Sequence, residues 1–307
     1  MPTAFVLSGG ASIAAVQVGM MTALHERGVR PDLLVGTSAG AINAAYVAGH
    51  GDGPAALDGL ARIWSGLRRR DVFPVGPARG VLAGLGVRPS LCSPDRLAVL
   101  LRAHLPFSRL EDARIPVHLV ATDVLTGQEL LLSEGPALSA LLASCAIPGV
   151  FPPVEREDRI LCDGALADNA AISQAVALGA DRVYVLPSGT TCDLDRPPAT
   201  ALGVALHALT LLLEQRLILE TAAYAGTAEL RVIPPLCPLA VPGTDFSRAR
   251  ELIDRAHRTA GEWLDSGAVN RPHPERFLAL HGHTQPPRRQ TQPARPPSRP
   301  ALDRISR

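Results

Sequence analysis

Residues 33–40 read Leu33-Leu34-Val35-Gly36-Thr37-Ser38-Ala39-Gly40. Three apolar residues form a short buried strand, and the small-residue run 39–48 that follows forms a helix. The chain turns between them within a few residues, so the positions flanking Ser38 must be glycine or small. A serine on so tight a strand-to-helix turn has the context of a nucleophile elbow, with its hydroxyl presented at the sheet edge. The N–H of Ala39 opens the helix and points to where a negative charge develops. With 27 Gly and 16 Ser among 307 residues, composition alone gives about 0.12 matches to Gly-x-Ser-x-Gly. The plainer alternative is a capping serine in a glycine-rich turn.

The pattern continues outward. Residues 4–7 form an apolar strand that ends at Ser8-Gly9-Gly10. Residues 13–27 place Val16, Met20, Met21 and Leu24 on one helical face, with Gly28 as a stop. Strand, helix, strand, helix is the signature of parallel strands covered by helices, an α/β fold. Downstream, strands are predicted at 117–122, 129–133, 159–162, 182–186 and 230–233. Helices are predicted at 54–67, 94–104, 137–146, 170–178, 201–225 and 246–264. Residues 71–94 are rich in Gly and Pro and read as a long mobile loop or cap. Leu82, Leu85, Val87 and Leu91 within it suit an acyl-chain cleft or a lipid surface, or ordinary core beneath a loop. From about Gly282 the chain is Pro, Arg and Gln and cannot bury enough surface to fold. The expected division is a folded unit, 1–281, and a tail, 282–307.

Apolar residues make up 47% of the chain and charged residues 19%, enough for a sizeable core. The net charge of +1 hides an asymmetry, and every basic residue is Arg. The last 20 residues carry six Arg against one acid, a net of +5, so the preceding 287 carry 24 Arg against 28 acids, a net of −4. A mildly acidic body argues against nucleic acid as a partner. The tail reads as solvated chain, with anionic lipid or a protein partner as the other reading, and Arg68-Arg69-Arg70 reads as an exposed helix end. Cys92, Cys145, Cys162, Cys192 and Cys237 are scattered and never spaced C-x-x-C. They suggest free thiols in a reducing compartment rather than disulfides or zinc. The N-terminus shows no basic signal region, so a cytoplasmic location is expected.

A serine nucleophile needs a base. The α/β-hydrolase arrangement places several strands before its elbow and supplies a late His. Here the elbow follows the second strand. His25, His104, His207 and His257 fall on predicted helices and His118 within a strand. His50 follows the elbow helix too closely to fold back easily, and His273, His281 and His283 lie by the tail. A carboxylate is the other option. Asp163 follows the apolar run Ile160-Leu161-Cys162 and precedes Gly164, at the carboxyl end of a strand, where open α/β sheets place their sites. A simple turn residue is the alternative.

Several segments together resemble the patatin-like phospholipase family. They are the glycine turn after the first strand, Gln17-Val18-Gly19, the Gly-Thr-Ser-Ala-Gly elbow, and Ala121-Thr122-Asp123 with Thr126-Gly127. They continue with the run 143–153 from Ala143-Ser144-Cys145 to Phe151-Pro152-Pro153, and with 163–169 from Asp163-Gly164-Ala165 to Asp168-Asn169. The likeness covers roughly 4–186. It implies a three-layer α/β/α fold with a mainly parallel sheet, and a lipid acyl hydrolase without metal or cofactor. It implies that Ser38 attacks the ester and that Asp163 serves as its base. It also implies that N–H groups of Gly9, Gly10 and Ala11, with Ala39, hold the oxyanion, and that the protein makes peripheral contact with membranes. One departure matters. Ala11 stands where the family has a third Gly, Ile13 where it usually has a basic residue, and Ala14 where it has a last Gly. A left-handed Ala is strained by about 1 kcal/mol, and its Cβ can intrude on the oxyanion. A non-catalytic lipid- or partner-binding protein of the same fold is therefore the rival. A nucleotide-binding domain is a weak third reading, because Gly9-Gly10-Ala11 does not complete G-x-G-x-x-G and a chain without Lys has no P-loop lysine.

Overall fold

The computed structural model describes residues 1–74, 90–189, 197–268 and 274–278. The tail, Cys192 and the loop residues Leu82, Leu85 and Val87 lie outside those residues. The strands are β1 (Thr3–Leu7), β2 (Leu33–Thr37), β3 (Val117–Asp123), β4 (Glu129–Leu132), β5 (Val154–Arg156), β6 (Arg159–Asp163), β7 (Arg182–Leu186) and β8 (Glu229–Val232). The helices are α1 (Val16–Glu26), α2 (Ala39–His50), α3 (Pro54–Gly66), α4 (Arg69–Val72), α5 (Asp95–His104), α6 (Ala137–Ser144), α7 (Ile172–Ala177), α8 (Ala201–Tyr224) and α9 (Ala249–Asp265).

The strands join in one sheet along the path β5-β6-β3-β2-β1-β7-β8, with β4 also paired to β3. The run β3-β2-β1-β7-β8 is parallel. Alternate residues feed opposite faces, as the two-residue repeat requires. Phe5 and Leu7 of β1, Leu34 of β2 and Tyr184 of β7 pack with α1, α2, α3, α5, α6 and α9. Ala4, Val6, Val35 and Val183 pack on the other face with α7 and with Leu217 of α8. The result is the expected three-layer α/β/α architecture.

Small residues set the spacing of the layers. A Cβ on Gly40 of α2 would lie 2.2 Å from the Leu7 carbonyl oxygen, so glycine lets the start of α2 sit on the end of β1. Gly19 of α1 makes the same kind of contact with the backbone of α9 at Ile253.

The structure differs from the sequence reading in three places. Residues Ala11–Ala15 are a 3-10 turn that precedes α1, closed by the Ile13 N–H on the Gly10 carbonyl. Helix α4 and strand β5 were not anticipated; four and three residues carry no readable period. Most consequential, β6 runs antiparallel to β3. Asp163 does end a strand, but that strand opposes the parallel ones, so the rule for open parallel sheets does not account for its place.

Candidate active site

Strand β3 explains how residues 38 and 163 meet. Its residues 119–122 pair with β4 along one edge. Its other edge pairs with β2 up to Val120, opposite Thr37, and then with β6 from Ala121, opposite Asp163. Strands β2 and β6 therefore abut tip to tip along one edge of β3. Ser38 leaves the tip of one as Asp163 ends the other. The Ser38 hydroxyl donates to Asp163 Oδ2 at 2.6 Å. Both are buried, at 6% and 3% exposure.

Each partner is fixed from behind. Ser38 has φ +54 and ψ −124, a conformation a serine holds only when its surroundings impose it. Its N–H donates to Ser144 Oγ at 2.9 Å, and its carbonyl accepts from the Cys145 thiol at 3.3 Å. Gly36 has no room for a side chain, since a Cβ there would lie 2.6 Å from Ala41 Cα. Asp163 Oδ1 accepts from the Ala165 N–H, and its carbonyl accepts from the Thr122 hydroxyl, both at 2.9 Å. Gly164 packs where a Cβ would stand 2.3 Å from the Val120 carbonyl oxygen.

Burial pushes the Asp163 carboxyl up to about 6, against the opposing pull of the Ser38 and Ala165 hydrogen bonds. Burial, with Asp163 adding to it, also raises the neighbouring thiols, Cys162 to about 11 and Cys145 well above its usual range. Both stay protonated at neutral pH and do not compete as nucleophiles.

The glycine turn lies beside this pair. Ser8, Gly9, Gly10 and Ala11 line the same cleft as Ser38 and Asp163. The Gly9 N–H is occupied, donating to Asn169 Oδ1 at 3.0 Å. Among the described residues the N–H groups of Gly10, Ala11 and Ala39 have no acceptor. Ala11 adopts φ +50, while Ala14 lies buried within the 3-10 turn at no such angle. A buried network supports the turn. Gln17 Nε2 donates to the Ser8 and Leu186 carbonyls, and Gln17 Oε1 accepts from Asn43. Asn43 in turn donates to the Ala14 carbonyl and accepts from the Trp64 indole. Asn43 escaped the sequence reading, because a lone small polar residue carries no local pattern, and Ser144 entered it only as part of the run 143–153.

Two cavities meet at Ser38. One, of about 80 Å³, runs between α2, α3, α5 and α6 and is lined almost wholly by apolar side chains, among them Ile42, Leu60, Leu101 and Phe151, with Ala39 and His104 also on its wall. The other is a wider cleft of about 580 Å³ that holds residues 38 and 163, the glycine turn, Leu91 and one face of α8. His207, set aside as helical, lies on that face. Among the described residues no group of three or more His, Cys, Asp or Glu side chains is placed to hold a metal ion.

The family model described as patatin-like phospholipase matches residues 5–176, more than half of the chain. The chain belongs to this family. The matched segment runs from β1 to α7 and contains the turn, the elbow and Asp163. An uncharacterized NTE family protein of Mycobacterium tuberculosis is 29% identical over 183 residues, covering 58% of this chain and 46% of its own length. Lysophospholipase NTE1 of Pyricularia oryzae is 25% identical over 199 residues, covering 63% of this chain and 12% of that protein. The chain thus spans less than half the length of these curated relatives. Among solved structures, VipD from Legionella pneumophila aligns over 86% of this patatin-like chain and 67% of its own, at 15% identity and a TM-score of 0.42. Among the described residues no helix is long and apolar enough to cross a membrane.

Proposed function

We propose that this patatin-like protein hydrolyses carboxylic acyl esters of lipids through Ser38 and Asp163. The observation that carries the reading is the 2.6 Å hydrogen bond from a strained, buried serine to an aspartate whose other carboxylate oxygen is held by the Ala165 N–H and whose backbone carbonyl is held by the Thr122 hydroxyl. In this mechanism Asp163 Oδ2 takes the hydroxyl proton as Ser38 Oγ attacks the carbonyl carbon. The Gly10, Ala11 and Ala39 N–H groups hold the oxyanion, and the Asn169-bound Gly9 positions the turn. Collapse expels the alcohol, which leaves with the proton from Asp163. Asp163 then takes a proton from water, the hydroxide attacks the acyl-enzyme, and the proton returns to Ser38 as the acid departs. A carboxyl near 6 is a better base for this than an ordinary aspartate near 4. The narrow apolar cavity takes the acyl chain, and the protein meets its lipid substrate by peripheral contact with lipid surfaces.

The rival reading, a non-catalytic binding protein, rests on Ala11. Its angle of φ +50 lies in the region glycine favours. The substitution is thus accommodated as local strain, which favours the catalytic reading. The test is hydrolysis of a short-chain acyl ester by the wild type, Ser38→Ala and Asp163→Asn. Turnover by the wild type and loss of more than a thousandfold in each variant is expected; full turnover by Ser38→Ala would refute the mechanism.

A further inference from the structure

The cleft beside Ser38 contains an acid that the mechanism does not use. Helix α8 turns Leu206, His207, Thr210, Leu213, Glu214 and Leu217 toward it, at spacings of one, three and four that define one helical face. Glu214 is 4% exposed, and among the described residues it makes no hydrogen bond and no ion pair. Its Oε1 is buried and has no partner among the described residues. Desolvation alone acts on its carboxyl, which is pushed up to about 7. Two acids as deeply buried are satisfied: Asp163 by Ser38 and Ala165, and Asp123 by Arg159 and two backbone N–H groups. A leucine would suit the fold at 214 better, since its neighbours Leu213 and Leu217 lie on the same face. A buried acceptor without a donor is unfavourable, and a ligand that supplies the donor removes the penalty.

The two cavities at Ser38 also differ in chemistry. The narrower one is almost wholly apolar and suits a hydrocarbon chain, while the wider cleft adds to its apolar walls an acid, a hydroxyl and an imidazole that suit the other side of the ester bond. We infer that Glu214 anchors a subsite for the alcohol portion of the substrate, accepting a hydrogen bond from a hydroxyl or ammonium group there, with Thr210 and His207 lining the approach. The inference rests on the hydrolase reading for the identity of the ligand. It adds that the enzyme selects esters whose alcohol carries a hydrogen-bond donor, and rejects those whose alcohol is fully capped.

Ethers that cannot be hydrolysed test this on the full chain. Binding of 1-O-octylglycerol, its di-O-methyl counterpart and 2-octyloxyethylammonium is measured by calorimetry. In the wild type, a donor-bearing ether binds about tenfold or more tighter than the methyl-capped one, the size of one buried hydrogen bond. Glu214→Leu brings all three within threefold and leaves the capped ether unchanged. Glu214→Gln keeps a preference for hydroxyl and loses any preference for ammonium. Equal binding of capped and uncapped ethers by the wild type, or a preference that survives in Glu214→Leu, overturns the proposal. If the leucine variant does not fold, Glu214→Met carries the same comparison. Failure of the hydrolase reading shows separately, as absent turnover of octanoyl esters while the ether preference persists.

Discussion

Thr37 and Asp163 lie opposite consecutive residues of β3, Val120 and Ala121. One strand arrives from each direction along the same edge, and the two tips nearly touch. Backbone pairing thus fixes the Ser38–Asp163 distance, and each side chain needs only a short reach. A pair of side chains carried on paired strands is held more tightly than one carried on loops.

The first consequence is a set of opposed pH effects. Asp163 must be ionised to accept a proton, so hydrolysis rises with pH through an apparent pKa of about 6. Stability runs the other way. The folded carboxyl binds its proton more tightly than the unfolded one, at an ordinary 3.8, so its favourable contribution is present below that value and lost as pH rises through about 6. Asp163→Asn is therefore expected to abolish hydrolysis and yet to raise stability at pH 8, by at most about 3 kcal/mol. Denaturant melts of both proteins at pH 5 and pH 8 read the difference.

Ser144 acts on Ser38 through its backbone. Its hydroxyl is the acceptor for the Ser38 N–H. Ser144→Ala leaves that buried N–H without a partner, an expected loss of about 1–3 kcal/mol. Because the elbow is then less firmly held, kcat falls roughly tenfold while KM stays within about threefold. Steady-state kinetics beside a denaturant melt separates this from plain destabilisation.

Gly40 is required for packing. A methyl there meets the Leu7 carbonyl oxygen at 2.2 Å, a backbone atom that cannot step aside. Gly40→Ala is expected to lose about 3 kcal/mol or more, or to prevent folding. Gly53, with no atom within 4 Å of its Cβ position and φ −72, is the control. Gly53→Ala changes stability by no more than about 1 kcal/mol.

Asn43 holds three groups at once, the Ala14 carbonyl, the Gln17 side chain and the Trp64 indole. Asn43→Leu strands all three in the core. A loss of about 3 kcal/mol or more is expected, with an unchanged denaturant m-value.

Much of this was legible in the sequence. Buried strands such as Thr3–Leu7 and Leu33–Thr37 are short apolar runs ended by glycine turns, and such runs have few other uses. Ser38 and Asp163 each stood out for the strand before them and the glycine after. Their meeting followed only from the family resemblance and not from the residues themselves, because it depends on β6 opposing β3, a choice of direction that leaves no mark on five residues. Asn43 sits in a helix whose alanines set the pattern. Glu214 sits in a helix apolar on nearly every side, where one acid reads as surface until the fold shows which way it faces.

The central claim is that Ser38 is a nucleophile activated by Asp163. Labelling with a fluorophosphonate probe, followed by mass spectrometry of the modified peptide, tests it most directly. The expected result is a single adduct on Ser38 in the wild type, lost in Ser38→Ala and slowed at least a hundredfold in Asp163→Asn. A wild-type protein that folds and binds lipid but takes no label, or that takes it at another residue, would contradict the account.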